Sequence, residues 1–126
     1  MRVVDTSAWI EWLAQTRVGQ HLNEHFPPRE PQIVPTIIQL ELAYWLSRET
    51  SERKAASVLA DTERRLVVPL NTRIALRAAE FRRAHGMATA DAIIYATASV
   101  SGADLLTCDA HFQGLPNVVY VAKNAA

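Results

Sequence analysis

Four acidic residues of this sequence stand on apolar stretches, where a carboxylate is unfavourable to remove from water. They are Asp5, Glu41, Asp91 and Asp109. A buried carboxylate destabilises the fold unless a positive group meets it. None of the four is directly adjoined by a Lys or Arg in the sequence. We therefore expect a bound hard cation to be their partner.

The chemistry of such a cluster follows from its ligand atoms. Carboxylates brought together repel one another and take up protons unless cations are bound. An all-oxygen set is typical of Mg²⁺ or Mn²⁺, whereas zinc prefers His and Cys. One or two such ions can activate water and stabilise the charge that develops on a phosphodiester during in-line attack. Hydroxyls beside the acids, on Thr6, Ser7 and Thr107, could orient a ligand water or a phosphate, or could simply make local hydrogen bonds.

Three of the acids also have a simpler explanation. Asp5 could cap the helix that follows it, Asp91 falls in the first turn of a helix, and Asp109 could be a loop acid. Glu41 resists such an explanation because it lies on or beside a predicted apolar stripe, where an acid gains nothing as a cap. That stripe comprises Ile37, Leu40, Tyr44 and Trp45. The four acids are therefore better explained together, as one cation-binding site.

Short apolar strands alternate with helices along the chain, which predicts a parallel sheet covered on both faces. The expected fold is α/β, a three-layer α/β/α sandwich with a central, mostly parallel sheet. Strands are predicted around residues 3–4, 32–34, 66–68, 105–107 and 118–121. Ligands in open α/β sheets gather at the carboxyl ends of the strands. Asp5 and Asp109 each follow a predicted strand, so both are expected at that edge of the sheet.

Helices are predicted over residues 7–13, 18–26, 36 onward, 51–65, 72–86 and 90–100. Capping signals define several of their ends. The signals are Ser7, Thr36 with Gln39 in a capping box, Ser51, Asn71 or Thr72, Thr89, the stop at Pro27 and Pro28, and Gly102. The helix over residues 72–86 carries Arg73, Arg77, Arg82 and Arg83. It could follow an RNA backbone, or it could be an ordinary exposed face.

Size and composition predict a single domain over residues 1–126. The chain is 49% hydrophobic, which argues against disorder. Its net charge is zero, but without the four acids 13 basic and nine acidic residues remain, a net charge of +4. Eleven of the 13 basic residues are Arg, the residue that best fits phosphate oxygens.

The sequence also predicts where the chain acts. No apolar run approaches the roughly 18 residues of a membrane span, and the N-terminus does not look like a secretory signal. Cys108 is the one cysteine, so an internal disulfide is excluded and a reducing cytoplasm fits. At the end of an apolar strand Cys108 is expected to be inert rather than a nucleophile.

Four segments together resemble the PIN-domain nucleases in order and spacing. They are residues 5–8 (DTSA), 41–42 (EL), 91–96 (DAIIYA) and 107–112 (TCDAHF). The short chain, covered nearly end to end, looks like a VapC-type toxin of a bacterial or archaeal toxin–antitoxin system.

This resemblance implies an Mg²⁺- or Mn²⁺-dependent endoribonuclease that cleaves RNA phosphodiester bonds. Its acidic metal site would be Asp5, Glu41, Asp91 and Asp109, with Thr107 at the family's hydroxyl position two residues before the last acid. It also implies a cytoplasmic homodimer and a cognate VapB-type antitoxin, whose C-terminal segment wraps the toxin and blocks the site. DNA would be contacted only indirectly, through the antitoxin.

Two other functions remain open. The first is a non-catalytic RNA- or partner-binding module that keeps the fold. The second is a phosphatase or receiver-type domain with Asp5 as nucleophile, which is less favoured because no second acid follows two residues later.

Several other residues allow two interpretations. His21 and His25 have the spacing of a zinc pair but more simply occupy a solvated helix face. His111 could approach the site as a general base. Trp9, Trp12 and Leu13 form a helical cluster that is either core or a groove for an antitoxin helix.

Overall fold

A computed structural model of the chain describes residues 1–26 and 31–124. The strands are β1 (Arg2–Val4), β2 (Gln32–Pro35), β3 (Leu66–Val68), β4 (Asp104–Thr107) and β5 (Val118–Tyr120). The helices are α1 (Thr6–Leu13), α2 (Arg17–His21), α3 (Thr36–Glu49), α4 (Glu52–Glu63), α5 (Thr72–His85) and α6 (Thr89–Val100). Two 3₁₀ turns add Leu22–Glu24 and Ala110–Phe112. No helix of the described residues is long and apolar enough to cross a membrane. The proline stop predicted at Pro27 and Pro28 lies outside the described residues.

The five strands form one parallel sheet in the order β3-β2-β1-β4-β5. In the centre Val3 of β1 is in register with Ile33 of β2 and Leu105 of β4. Successive strand residues point to opposite faces, yet both Val3 and Val4 are at most 1% exposed. Helices therefore cover both faces of the central strands, and the predicted three-layer α/β/α sandwich with a parallel sheet is confirmed.

The strand order creates a crevice beside β1. The chain runs from β1 outward to β2 and β3, then returns past β1 to form β4 on its other side. Connections that leave two neighbouring strands in opposite directions open a crevice at their carboxyl ends, which is where α/β sheets bind ligands. Asp5 follows β1 directly, and Asp109 follows β4 by two residues. Both acids therefore lie at the edge of the sheet where the sequence predicted them.

Three helix-end predictions are confirmed. Ser51 caps α4, because its side chain accepts a 3.1 Å hydrogen bond from the backbone N–H of Lys54. Asn71 caps α5, because its side chain accepts a 2.9 Å hydrogen bond from the backbone N–H of Ile74. Gly102 follows α6 with φ +66°, and the N–H of Ala103 donates to the carbonyl of Ala98 at 2.9 Å. This is the bonding pattern of a Schellman motif, which requires the left-handed backbone conformation that glycine adopts readily.

Three predicted caps are wrong in position. Ser7, Thr36 and Thr89 lie inside the first turns of α1, α3 and α6, and the residues before those helices make no side-chain cap. In α1 the carbonyl of Asp5 already accepts the first helical bonds, from the N–H groups of the residues three and four positions later. The capping box is also absent, because Gln39 instead donates to Thr62 Oγ1 at 3.2 Å. Backbone bonding therefore started each helix earlier than the side-chain signals predicted.

The apolar stripe predicted on α3 is wrong by about one residue. The buried residues are Ile38, Leu42 and Leu46, while Leu40 is 66% exposed and Tyr44 is 64% exposed. Both sets have the four-residue spacing of a helix face, so spacing could not tell which set meets the core. Glu41 lies next to the buried stripe, at its half-buried border.

Candidate active site

Asp5 is a buried carboxylate held by two hydroxyl groups. Its side chain is 4% exposed. Its Oδ2 accepts hydrogen bonds from Ser7 Oγ at 2.7 Å and from Thr107 Oγ1 at 2.8 Å. The carboxylate makes no capping hydrogen bond to α1. The alternative that Asp5 is a helix cap is therefore not supported by its contacts.

The two hydroxyls also tie the loop after β4 to the start of α1. Ser7 Oγ accepts from the N–H of Cys108 at 3.0 Å, and Thr107 Oγ1 accepts from the N–H of Asp109 at 2.9 Å. Each hydroxyl has one proton, which it donates to Asp5, so both are orientated to receive a backbone N–H in return. The network thus links Asp5 to the backbone that carries Asp109.

The electrostatics of Asp5 favour a cation. Burial raises the pKa of Asp5, the hydrogen bonds from Ser7 and Thr107 oppose this, and the negative charge of Glu41 raises it further. None of the ion pairs formed between described residues includes Asp5. A buried acid whose charge no side chain compensates is stabilised as an anion by a bound cation.

Glu41 joins the same region from α3. Its Oε1 accepts a 2.6 Å hydrogen bond from Thr6 Oγ1, at the first residue of α1. Glu41 is half-buried, and its charge acts on Asp5 directly. The first turn of α1 therefore contacts two acids that are 36 positions apart in the sequence.

Asp91 and Asp109 form a second acidic pair. Asp91 lies in the first turn of α6, and Asp109 lies in the loop after β4. Burial raises the pKa of Asp91, the charge of Asp109 adds to this, and His111 opposes it. The charge of Asp109 thus disfavours the ionised form of Asp91, and a cation shared by the two carboxylates would stabilise that form.

His111 stands between the acids of this second pair. Its Nδ1 lies 3.4 Å from Asp91 Oδ2 and 3.4 Å from Asp109 Oδ1. Among the described residues, these three form the one group of His, Cys, Asp and Glu whose ligand atoms all lie within 4.8 Å of one another. The four predicted acids thus occur as two pairs, Asp5 with Glu41 and Asp91 with Asp109, joined through Thr107.

A cavity of about 430 Å³ opens at Asp91 and His111. The end of α5 and the turn between α5 and α6 form much of its wall. Besides Asp91 and His111, the cavity is lined by His85, Gly86, Met87, Ala88 and Leu115. His85 was not among the residues predicted for the site. The available signal was Gly86, whose φ of +64° ends α5 and turns the chain toward Asp91. Arg82 and Arg83 line an adjoining groove that shares Gly86 and Met87 with this cavity.

The donor atoms fit a hard divalent cation. All four acids are buried or half-buried beside another carboxylate or a hydroxyl, and oxygen donors dominate the set. Oxygen-rich sites suit Mg²⁺ or Mn²⁺. Cys108 does not belong to this chemistry, because burial raises the pKa of its thiol to about 11. A thiol that stays protonated at neutral pH is a poor ligand and a poor nucleophile.

The other residues that the sequence singled out lie elsewhere. The rings of His21 and His25 are 6.0 Å apart, outside the group formed by Asp91, Asp109 and His111. Trp9 is 1% exposed and packs edge-on against Phe26 at 5.0 Å, as the core interpretation requires. Trp12 is only half-buried and stacks on Phe26 at 4.2 Å. The cluster is thus core at Trp9 and surface at Trp12.

The fold is shared with several solved structures. It matches a chain of a toxin–antitoxin complex from Klebsiella pneumoniae with a TM-score of 0.81 and 22% identity, over 94% of this chain and 96% of that one. It matches VapC20 from Mycobacterium tuberculosis, described as a sarcin-ricin loop cleaving toxin, with a TM-score of 0.74 and 21% identity, over 97% and 99%. It matches VapBC2 from Rickettsia felis, bound to a DNA fragment from its promoter, with a TM-score of 0.72 and 17% identity, over 96% and 97%.

Sequence comparison identifies the family directly. None of the curated proteins matches this chain significantly in sequence. The family model described as the PIN domain, however, matches residues 2–117, which include all four acids and the hydroxyls around them. The resemblance noted from four short segments is therefore confirmed, and this chain belongs to the PIN-domain family.

Proposed function

We propose that this chain is a metal-dependent endoribonuclease and the toxin of a VapBC-type toxin–antitoxin pair. Residues 1–126 would form one nuclease domain that acts in the cytoplasm, as a homodimer. PIN-family membership supports a nuclease, and the similar fold of a ribosomal-loop cleaving toxin supports RNA as the substrate. The observation that carries the proposal is the presence of two acidic pairs, Asp5 with Glu41 and Asp91 with Asp109, linked through the hydrogen bonds of Thr107.

The acids Asp5, Glu41, Asp91 and Asp109 would hold Mg²⁺ or Mn²⁺. When bound, such a cation supplies an activated water and neutralises charge that develops on the phosphate. The chain itself positions the site: Thr107 and Ser7 hold Asp5 in one orientation, and Thr6 does the same for Glu41. Fixed side chains of this kind need little reorganisation during the reaction.

RNA would approach along the C-terminal end of α5. Carboxylates alone repel a phosphate backbone, so an acidic site needs positive charge at its border. Arg82 and Arg83 line the groove that adjoins the cavity at Asp91. Arg82 is anchored there, since its Nε donates to the carbonyl of Met87 at 3.1 Å. These two Arg residues would hold the phosphates that flank the scissile bond.

A VapB-type antitoxin would be the protein partner. A groove between α1 and α4 is lined by Trp12, Leu13 and Val58 and bordered by the charged Asp61 and Arg64. An apolar floor with a charged border fits the amphipathic helix of a partner. DNA would be contacted through the antitoxin, in line with a similar fold found in a DNA-bound VapBC complex.

Cleavage of a structured RNA by the purified, antitoxin-free chain tests the catalytic proposal. We expect cleavage with Mg²⁺ or Mn²⁺, none with a chelator, and none after Asp5→Asn or Asp91→Asn. Glu52→Gln is a matched control for Asp91, because Glu52 is likewise an acid in the first turn of a helix, α4, but is exposed. It should cleave normally.

Two results would contradict the proposal in different ways. Normal cleavage by Asp91→Asn would show that the two acidic pairs do not act as one site. RNA binding without cleavage under every metal condition would favour the alternative, a non-catalytic RNA- or partner-binding module. A calorimetric titration with Mn²⁺ would then show whether the acids bind a metal at all.

A further inference from the structure

We propose that His111 supplies a nitrogen ligand to the divalent cation at Asp91 and Asp109, and that this imidazole makes the site prefer Mn²⁺ to Mg²⁺. The inference rests on the proposed metal-dependent function and adds a ligand outside the four acids. Nδ1 of His111 is equidistant, at 3.4 Å, from an oxygen of each of the two carboxylates.

The spacing of the three atoms suits ligands of one ion. Metal–ligand distances of about 2.0–2.2 Å place neighbouring donors roughly 3.0–3.5 Å apart. Both nitrogen-to-oxygen distances fall in this range, and all three donors lie within 4.8 Å of one another. The three side chains therefore need little movement to share a cation.

The same distances are longer than those of a close, charge-assisted hydrogen bond. A charged imidazole that donates to a carboxylate normally lies about 2.7–2.9 Å from it. His111 Nδ1 stands farther away from both carboxylates, at 3.4 Å from each. A gap of this size between one nitrogen and two oxygens fits an ion that all three would contact.

His111 is anchored by its backbone although its ring is 77% exposed. Its N–H donates to Asp109 Oδ1 at 2.9 Å, so the residue and one carboxylate are bonded together. The next residue, Phe112, is fully buried and holds the 3₁₀ turn Ala110–Phe112 against the core. The imidazole is thus presented from a fixed turn rather than from a loose loop.

The nitrogen donor decides which cation is favoured. Mg²⁺ binds almost entirely to oxygen, whereas imidazole is a good ligand for transition metals. Mn²⁺ suits the carboxylates that form the rest of the set. As a transition metal it also accepts an imidazole more readily than Mg²⁺ does. Loss of the imidazole should therefore weaken Mn²⁺ binding much more than Mg²⁺ binding.

Pulsed electron paramagnetic resonance on the full chain loaded with Mn²⁺ tests the ligand directly. We expect a ¹⁴N coupling from imidazole in the unmodified protein and its loss in His111→Ala. His85→Ala is the matched control, because His85 lines the same cavity. His21→Ala is a distant control on α2. Both control variants should keep the coupling.

Calorimetric titration with each metal gives a second readout. We expect His111→Ala to weaken Mn²⁺ binding by about tenfold or more and Mg²⁺ binding by less than about threefold. Bound Mn²⁺ without a nitrogen coupling, or a coupling lost only in His85→Ala, overturns the inference and leaves the acidic metal site intact. Tighter Mn²⁺ binding after His111→Ala also overturns it, because His111 would then compete with the metal as a counter-ion. No Mn²⁺ binding at all overturns the metal site itself.

Discussion

Thr107 Oγ1 lies 2.8 Å from Asp5 Oδ2, although 102 positions separate the two residues in the chain. The contact exists because β1 and β4 are neighbours in the sheet, with Val4 in register with Leu106. Asp5 directly follows Val4, and Thr107 directly follows Leu106. The two side chains therefore meet in the crevice at the carboxyl ends of β1 and β4. A hydroxyl and a carboxylate are thereby joined in a buried position, where their bond has its largest effect.

Thr107→Val should therefore destabilise the fold and impair metal binding. The substitution keeps the shape of the side chain but removes a donor to Asp5 and an acceptor for the N–H of Asp109. We expect a loss of about 1–3 kcal/mol in the free energy of unfolding, measured by urea denaturation in a chelator. Thr107→Ser keeps the hydroxyl and should lose less. Equal losses for the two variants would show that packing, not the hydroxyl, matters at this position.

Asp5→Asn should stabilise the metal-free protein at pH 7. Because the pKa of Asp5 is raised in the folded state, its ionisation opposes folding once the pH exceeds that raised pKa. The wild type regains this stability as the pH falls through the raised pKa, and recovers it fully below the unfolded value near 3.8. The advantage of Asp5→Asn should thus be present at pH 7 and vanish at acid pH.

Thermal unfolding across pH, with and without metal, measures this effect. In a chelator the difference in Tm between Asp5→Asn and wild type should shrink steadily on acidification. Addition of Mn²⁺ should raise the Tm of the wild type more than that of Asp5→Asn. If Asp5→Asn is the less stable protein at pH 7 without metal, the burial of the Asp5 charge is compensated by another group of the protein.

Arg83→Glu should weaken RNA binding more than it slows the chemical step. Arg83 is exposed in the groove next to the acidic cavity, where a phosphate would pass. We expect KM for RNA to rise, with a shallower dependence of binding on salt, while kcat changes little. Arg53→Glu reverses the same charge on the exposed surface of α4 and should leave KM nearly unchanged. Similar effects of both substitutions would indicate attraction by overall charge instead of a path along α5.

Cys108 should be unreactive in the folded chain. It is 3% exposed, and burial raises the pKa of its thiol to about 11, so little thiolate exists at neutral pH. We expect alkylation by iodoacetamide at neutral pH to be slow in buffer and complete after unfolding, as followed by mass spectrometry. RNA cleavage should continue while the folded protein is being alkylated slowly. Rapid alkylation of the folded protein would show that the end of β4 opens in solution.

Much of the fold could be predicted because short-range signals agree with it. The strand before Asp5 and the strand before Asp109 are apolar runs of the right length, and both occur where predicted. Gly102 and Asn71 end and begin helices because their effect depends only on a few backbone groups nearby. The caps at Ser7 and Thr89 were wrong for the converse reason, since backbone bonds extended those helices past the predicted side chains.

The candidate site was likewise predictable where local signals suffice and unpredictable where long-range packing decides. Asp5, Glu41, Asp91 and Asp109 could be selected from the sequence because an acid on an apolar element is unfavourable wherever that element packs. Which residues of α3 face the core could not be predicted from the sequence, since Ile38 and Leu40 both belong to sets with helical spacing. Whether Glu41 meets Thr6 depends on how α3 lies against α1, which spacing alone does not determine.

The sequence by itself thus determined which elements form and which side chains must find a partner, because both follow from local geometry and the unfavourable burial of charge. Only the tertiary structure decided which residues these side chains contact. It paired Asp5 with Thr107 through the order of the strands, placed His111 between Asp91 and Asp109 through one 3₁₀ turn, and brought His85 to the cavity through the turn at Gly86. The contacts of Asp5 with Thr107 and of Asp91 with His111 join residues distant in the chain, and their geometry is set by strand order and packing rather than by any short stretch of sequence.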